Sequence, residues 1–220
     1  MTTDFWFPVQ LSIMIATIST TVAFLIAVLV AYRLKSSSMR GKSVLEALFL
    51  LPLVLPPSVL GFLLLYIFGI NSPVGKGIQF LIGETLLFTK LAAIIAAIIV
   101  TFPLMYQAAK AGFSSVNVDI EEAARVDGAG EWKVFLHISI PLAIKALLMG
   151  VILSFTRALG EFGATLMFAG NIPGKTQTIS TAIYVAIESG ENDLAWQYAL
   201  ISISLSFILL VLIKVMDRAS

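Results

Sequence analysis

Arg157 and Glu161 stand four residues apart beside the apolar run LGEFGATLMFAG at 159–170. On a helix that spacing puts a guanidinium and a carboxylate on one face, one turn apart. Ionisable groups in so apolar a setting are functional candidates. Either the two neutralise each other and fix the segment, or one of them lines a polar path. Gly160 and Gly163 flank Glu161 and permit close helix packing or a hinge there. A second group of candidates lies in LLPLVLPPSVLGF, where Pro52, Pro56 and Pro57 each remove a backbone donor. A plain kink is one reading. The other is that the freed carbonyls meet water on a translocation path, and Pro103 in TFPLMY invites the same reading. Pro56, Pro57, Arg157, Gly160, Glu161 and Gly163 are therefore the pore or gate candidates. Thr165, Met167 and Phe168 are weaker candidates for an apolar constriction.

A structured loop is written into SSVNVDIEEAARVDGAGEWKVFLHISIPLA. Asp119 is placed to cap a helix, and Glu122 three residues on completes a capping-box pattern. About two turns over 120–126 then end at Gly128 and Gly130. A second helical piece starts near Glu131 and runs on past Ile138.

Little else in the chain suits chemistry. His137 is the single histidine and there is no cysteine, so no Ser-His-Asp set, thiolate site or metal site is expected. A phosphate-binding loop needs a glycine five residues before its Gly-Lys-Ser/Thr. Ser36 stands there for Gly41-Lys42-Ser43, and Ala169 for Gly174-Lys175-Thr176, so nucleotide is not expected to bind. Net charge is +1, with no basic-aromatic surface for nucleic acid.

The elements that must hold these residues are membrane helices. Hydrophobic residues make up 59% of the chain and charged ones 12%, against about 25% charged in a soluble domain. Mean hydropathy is +0.98. Five apolar segments, at about 10–32, 43–68, 85–109, 138–158 and 195–215, have the roughly 20 residues that cross a bilayer. The reading is one all-α integral membrane domain over 1–220, with five to six transmembrane helices and a structured loop at 113–137. A broken or re-entrant piece is expected at 159–170, and a short amphipathic helix at 178–188. Arg33 is the first Lys or Arg, so the first segment is expected to be kept as a span. Arg33, Lys35, Arg40 and Lys42 follow it and place that loop inside by the positive-inside rule. Counting forward, the N-terminus falls outside and the C-terminus, with Lys214 and Arg218, in the cytoplasm.

Glu122, Ala123, Ala124, Gly128 and, nine residues on, Ile138-Ser139-Ile140-Pro141 resemble the EAA loop of ABC importer permeases, with Ile140 where the family places Leu. That resemblance implies that Asp119, Glu121, Glu122, Ala123, Ala124, Arg125 and Gly128 form a cytoplasmic coupling helix that docks on a separate ATPase. The residue types suit that role: Ala123 and Ala124 let a partner approach closely, and Glu121, Glu122 and Arg125 offer charged rim contacts, which affect specificity more than affinity. It implies a homodimer in the bacterial inner membrane, two cytoplasmic ATPase subunits that hold ATP and Mg, and an extracytoplasmic oxyanion-binding protein. No cofactor would be bound by this chain. LPLVLPPSVLGFLLLY at 51–66 and TRALGEFGATLMFAGNIPGKTQTI at 156–179 look most like molybdate permeases, with tungstate as a companion substrate. Sulfate and thiosulfate permeases share the ALGEFGA core and remain the alternative. Lys90, Lys145 and Arg157 are the few basic residues at membrane depth, so no tight anion site is expected in the pore. Thr176, Thr178 and Ser180 on the outer loop read as binding-protein contacts. A secondary transporter would show inverted repeats, and none is visible. An intramembrane enzyme would need paired acids or a Ser/His set, and none is visible either.

Overall fold

The computed structural model describes residues 4–35 and 37–218, and the described part is built of helices. Long apolar runs give α1 (Phe7–Lys35), α5 (Lys90–Ser114), α7 (Glu131–Leu159) and α10 (Asn192–Arg218). These four are long and apolar enough to cross a membrane, and the first, at 29 residues, is about 44 Å long. Shorter helices join them: α2 (Lys42–Val54), α3 (Pro57–Phe68), α4 (Pro73–Ile82), α6 (Val118–Val126), α8 (Gly163–Ala169) and α9 (Ile179–Glu188). α8 has seven residues, too few to span, so it does not supply a sixth crossing.

The expected single kinked segment over 43–68 is instead a corner. α2 and α3 meet at 112°, and only as a bent pair do they make a fifth crossing. The cause is two prolines in succession. A residue before proline is pushed out of the α region, and that applies to Leu55 before Pro56 and again to Pro56 before Pro57. Both are extended, at ψ 139° and 137°. Pro57 then opens α3 at the first helical position, where its missing N–H costs nothing. Pro103 behaves differently from the expectation. It is buried inside the unbroken α5, so it faces packed protein rather than an open path.

α5 is the axis of the bundle, packed between α1 and α7. Lipid tails are as apolar as the helices, so the helices associate through close approach of small residues. Ala16, Ala23, Ala27 and Ala31 turn one face of α1 onto the Ala92, Ala93, Ala96, Ala97 and Ala109 face of α5, all of them buried. On the other side an ideal Cβ added at Gly150 of α7 would sit 2.6 Å from the Ala108 Cβ, and one at Gly112 of α5 2.9 Å from Ala146. α10 is the most peripheral of the long helices. Its Trp196, Leu200, Ile203 and Phe207, at helical spacing, are all exposed and make an apolar outer stripe.

Two ends of the bundle differ. At one, α9 begins with Thr178 and Thr181 in a reciprocal capping box, and the Ile179 N–H donates to Ser12 of α1. The other carries α6. Close packing yields a direct test. Gly150→Ala forces α5 and α7 apart and should destabilise the detergent-solubilised protein by about 1–3 kcal/mol. Gly77→Ala in α4, where nothing lies within 4 Å, should be neutral or slightly stabilising. Thermal unfolding of the two variants against the parent measures the contrast.

Candidate functional site

The docking segment folds as a helix with both ends closed. The cap is Asn117, not Asp119: the Asn117 side chain accepts from the Asp119 N–H at 2.9 Å, and the helix starts at Val118. Asn competes well at this position because its short carbonyl reaches the free donors of the first turn. Asp119 and Glu121 are thereby moved into the first turn, with Arg125 in the last, as the helix dipole favours. At the far end the Gly128 N–H donates to the Arg125 carbonyl and the Ala129 N–H to that of Ala124, at 3.0 and 2.9 Å. That pair of bonds is a Schellman closure, and it sets Gly128 at φ +87°, where a side chain is strained.

Periodicity then sorts the residues into two faces. Asp119, Glu122, Ala123 and Val126 point outward and are exposed, with Val126 at 87%. Glu121 points inward and is 3% exposed, so it is not the rim contact expected from its charge. One of its carboxylate oxygens accepts from Lys35 Nζ at 2.9 Å and the other from the Ser139 hydroxyl at 2.7 Å. Arg125 is also engaged at home, gripping Glu131 with two bonds of 2.7 and 3.3 Å. Its hydrogen bond to Glu131 holds the Arg125 pKa above the ordinary guanidinium value. Ala124 is half-buried behind them.

Ser139 is in reach because α7 contains one wide turn. Phe135–Ser139 is a π-helical stretch, a local widening of the kind often found at functional sites. Leu29, Tyr32, Arg33, Glu121, Arg125, Glu131, Trp132 and Phe135 surround a cavity of about 300 Å³ behind α6. At the same end Glu46 of α2 accepts from Lys110 Nζ at 2.7 Å and the Tyr106 hydroxyl at 3.1 Å, which ties α2 to α5.

The gate candidates gather at the junction of α3, α7 and α8. Arg157 donates to Glu161 at 2.8 Å, and the other Glu161 oxygen accepts from the Ala164 N–H at 2.9 Å. Glu161 is 3% exposed and thus both neutralises Arg157 and caps α8. An ideal Cβ on Gly163 would lie 2.7 Å from Pro57 Cβ, so glycine is what lets the starts of α3 and α8 touch. Gly61 and Met167 approach as closely one turn further along. Pro56 caps α3 without a side-chain bond, and Gly160 ends α7 with ordinary space around it. Phe168 and Thr165 are turned into the core, so neither forms the apolar constriction, and Met167 packs on α3.

Other expectations change too. Thr176 and Thr178 are buried: Thr176 accepts from the Ile172 N–H at 3.0 Å and Thr178 caps α9, so both are structural rather than surface contacts. Lys90 sits over the Phe7 ring at 5.5 Å. His137 is exposed, with Nδ1 3.3 Å from the Lys133 carbonyl, and no cluster of metal-ligating side chains occurs among the described residues. The sequence reading missed Lys35 and Ser139 as partners of Glu121. Lys35 lies 86 residues away and was legible only as one of four basic residues in its loop.

Comparison with known proteins agrees on one family. Residues 23–220 match the family described as binding-protein-dependent transport system inner membrane component. The chain is 52% identical to the putative molybdenum transport system permease protein YvgM of Bacillus subtilis (strain 168), over 96% of this chain and 93% of that one. It is 38% identical to the molybdenum transport system permease protein ModB of Escherichia coli (strain K12), over 98% of this chain and 94% of that one. Among solved structures, a bacterial ABC transporter that imports the acidic polysaccharide alginate superposes with a TM-score of 0.78 at 16% identity. The match covers 97% of this chain and 78% of that one, and at such low identity the likeness is of fold alone.

The double use of Glu161 separates two variants. Glu161→Gln keeps an acceptor for the α8 cap and loses only the charge, whereas Glu161→Ala removes the cap as well. Loss of a cap costs about 1 kcal/mol. Glu161→Ala should therefore be less stable than Glu161→Gln by about that amount in thermal unfolding.

Proposed function

This chain belongs to the binding-protein-dependent transport system inner membrane components, and we propose that it forms, as a homodimer, the pathway by which an ATP-driven importer carries molybdate. It is a permease subunit rather than an enzyme, and the ATPase is a separate subunit. The observation that carries the coupling part is α6. A doubly capped, two-turn helix presents Asp119, Glu122, Ala123 and Val126 outward while its base is bonded into the bundle. Such a helix is a rigid peg for a cleft in a partner. Two ATPase subunits, holding ATP and Mg, take the two pegs of the dimer.

Orientation follows from charge. Lys35 belongs to the basic stretch with Arg33, Arg40 and Lys42, and its bond to Glu121 puts that stretch at the α6 end. Positive charge favours the cytoplasmic side, so α6 faces the ATPases, with the N-terminus outside and the C-terminus in the cytoplasm. The crossings are α1, the bent pair α2–α3, α5, α7 and α10.

The molybdate assignment rests on the molybdenum permeases it resembles over nearly its whole length. Tungstate, of like charge and shape, would share the route. Physics supplies the need for a path: stripping a divalent oxyanion of water costs on the order of tens of kcal/mol. Among the described residues no free cation stands at the α3–α8 junction, since Glu161 neutralises Arg157. The pathway is thus opened and shut rather than selective, and an external oxyanion-binding protein chooses the cargo. ATP binding closes the ATPases and draws the two α6 helices together, which opens the pathway outward. Hydrolysis returns it inward, and the junction of Pro56, Pro57, Arg157, Gly160, Glu161 and Gly163 is where the pathway opens and closes.

Uptake of labelled molybdate into cells or vesicles should stop when ATP is depleted with ion gradients held, and an excess of sulfate should leave it largely unchanged. Uptake that follows the ion gradient would make this a secondary transporter, and strong competition by sulfate would move the substrate to that anion. Gly128→Val places a β-branched residue at φ +87°, a strain of about 1–2 kcal/mol. That variant should insert normally, yet lose at least tenfold in ATP-driven uptake.

A further inference from the structure

We propose that the Glu121–Lys35 ion pair, completed by the Ser139 hydroxyl, is the joint through which α6 moves the membrane helices, so that Glu121 and Lys35 are positioning residues for coupling. The inference rests on the reading of α6 as the ATPase contact. Glu121 is the one buried residue of that nine-residue helix. A helix so short does not hold its shape or place unaided. Its other bond to the bundle, Arg125 to Glu131, joins side chains 34% and 66% exposed, and exposed pairs hold little.

Geometry divides the Glu121 carboxylate between two helices. Oε2 is bonded to Lys35, the last residue of α1, and Oε1 to Ser139, at the end of the π-turn of α7. Lys35 is itself well covered, with its side chain 13% exposed. If α6 shifts, it either drags the ends of α1 and α7 along or strips a buried carboxylate of its partners. The second choice is strongly disfavoured, because an unpartnered buried charge is far costlier than a paired one. α1 and α7 are also the two helices that flank α5. A push on the peg is therefore delivered to the packed core of the bundle rather than lost in a soft loop.

The test uses the full complex, permease with ATPase and molybdate-loaded binding protein, in liposomes, and reads ATP hydrolysed per molybdate taken up. Glu121→Gln and Lys35→Met should keep hydrolysis within about threefold of the parent while uptake falls at least tenfold, so that the ratio rises. The swap Lys35→Glu with Glu121→Lys should recover part of the coupling. Glu46→Gln breaks the Lys110 bond at the same end without touching α6 and should leave the ratio alone. An unchanged ratio in both Glu121→Gln and Lys35→Met, or an equal rise in Glu46→Gln, overturns the joint. Should neither variant assemble, Ser139→Ala decides: it keeps the ion pair and frees α7, and a ratio raised at least threefold supports the joint while an unchanged one overturns it. A parent complex that takes up no molybdate on ATP refutes the importer reading itself, whereas a parent that couples alongside variants that couple as well refutes only the joint.

Discussion

Apolar side chains gain nothing by leaving lipid for the inside of a membrane bundle, so close approach must do what the hydrophobic effect does in water. This chain meets that condition with alanine and glycine. The alanine face of α1 lies on that of α5, and Gly150 and Gly112 let α7 reach Ala108 and Ala146. Three long helices so packed have no slack to absorb displacement, because interiors at this density transmit strain. A rigid core of this kind is what a lever needs to act upon. The same requirement explains Gly163 against Pro57 and Gly61 against Met167, where α3 and α8 are held as one unit.

Onto that frame are added two carboxylates buried among the described residues, Glu121 and Glu161, and both are used in the same way. Glu121 takes a cation, Lys35, on one oxygen and a neutral donor, the Ser139 hydroxyl, on the other. Glu161 takes Arg157 on one oxygen and the Ala164 N–H on the other. A carboxylate so satisfied is tolerable in a poorly solvated place, and it ties together two pieces of backbone that small residues alone could not orient. Glu121 fixes α6 to α1 and α7. Glu161 fixes the turn between α7 and α8. Since α7 takes part in both, its length is the continuous element from the docking end to the gate candidates.

Much of this was legible in the sequence, and what was not has physical reasons. Uninterrupted apolar runs gave the long helices, because their lengths are dictated by the bilayer. The capped loop was legible because its signals are local: acidic residues in a first turn, two alanines, and Gly128 where the backbone turns left-handed. Even so, Asn117 took the cap from Asp119, since two residues of like capping ability stand two apart and only packing decides between them. The corner at Pro56 and Pro57 read as a kink because one proline bends a helix, whereas two in succession enforce two extended residues. Lys35 and Ser139 as partners of Glu121 left no trace, for contacts 86 and 18 residues apart have no periodicity to betray them. Thr176 and Thr178 look like exposed loop residues by type, yet their hydroxyls are spent on backbone donors inside the fold.

The corner at Pro56 and Pro57 divides the bent pair between two sets of partners. α2 has no buried residue; Glu46 ties it to α5 by accepting from Lys110 and Tyr106, Phe49 packs on the Phe102 and Tyr106 rings, and Lys42 Nζ donates to the Lys35 carbonyl of α1. α3, beyond the corner, is packed closely on α8 through glycines. The two halves of the bent pair are thus bonded to different partners, one at the docking end and one at the gate candidates, with Leu55 and Pro56 extended between them. The Leu55 N–H gives the last bond of α2, to the Leu51 carbonyl, and the Pro56 carbonyl accepts the first bond of α3, from the Leu60 N–H, both within 3.1 Å. Each proline ring fixes φ and restricts the residue before it, so the corner is stiff. The corner therefore holds α2 and α3 at a set angle, and each half keeps its own partner. The proline pair thus joins a half bonded at the docking end to a half packed at the gate candidates, by steric restriction alone.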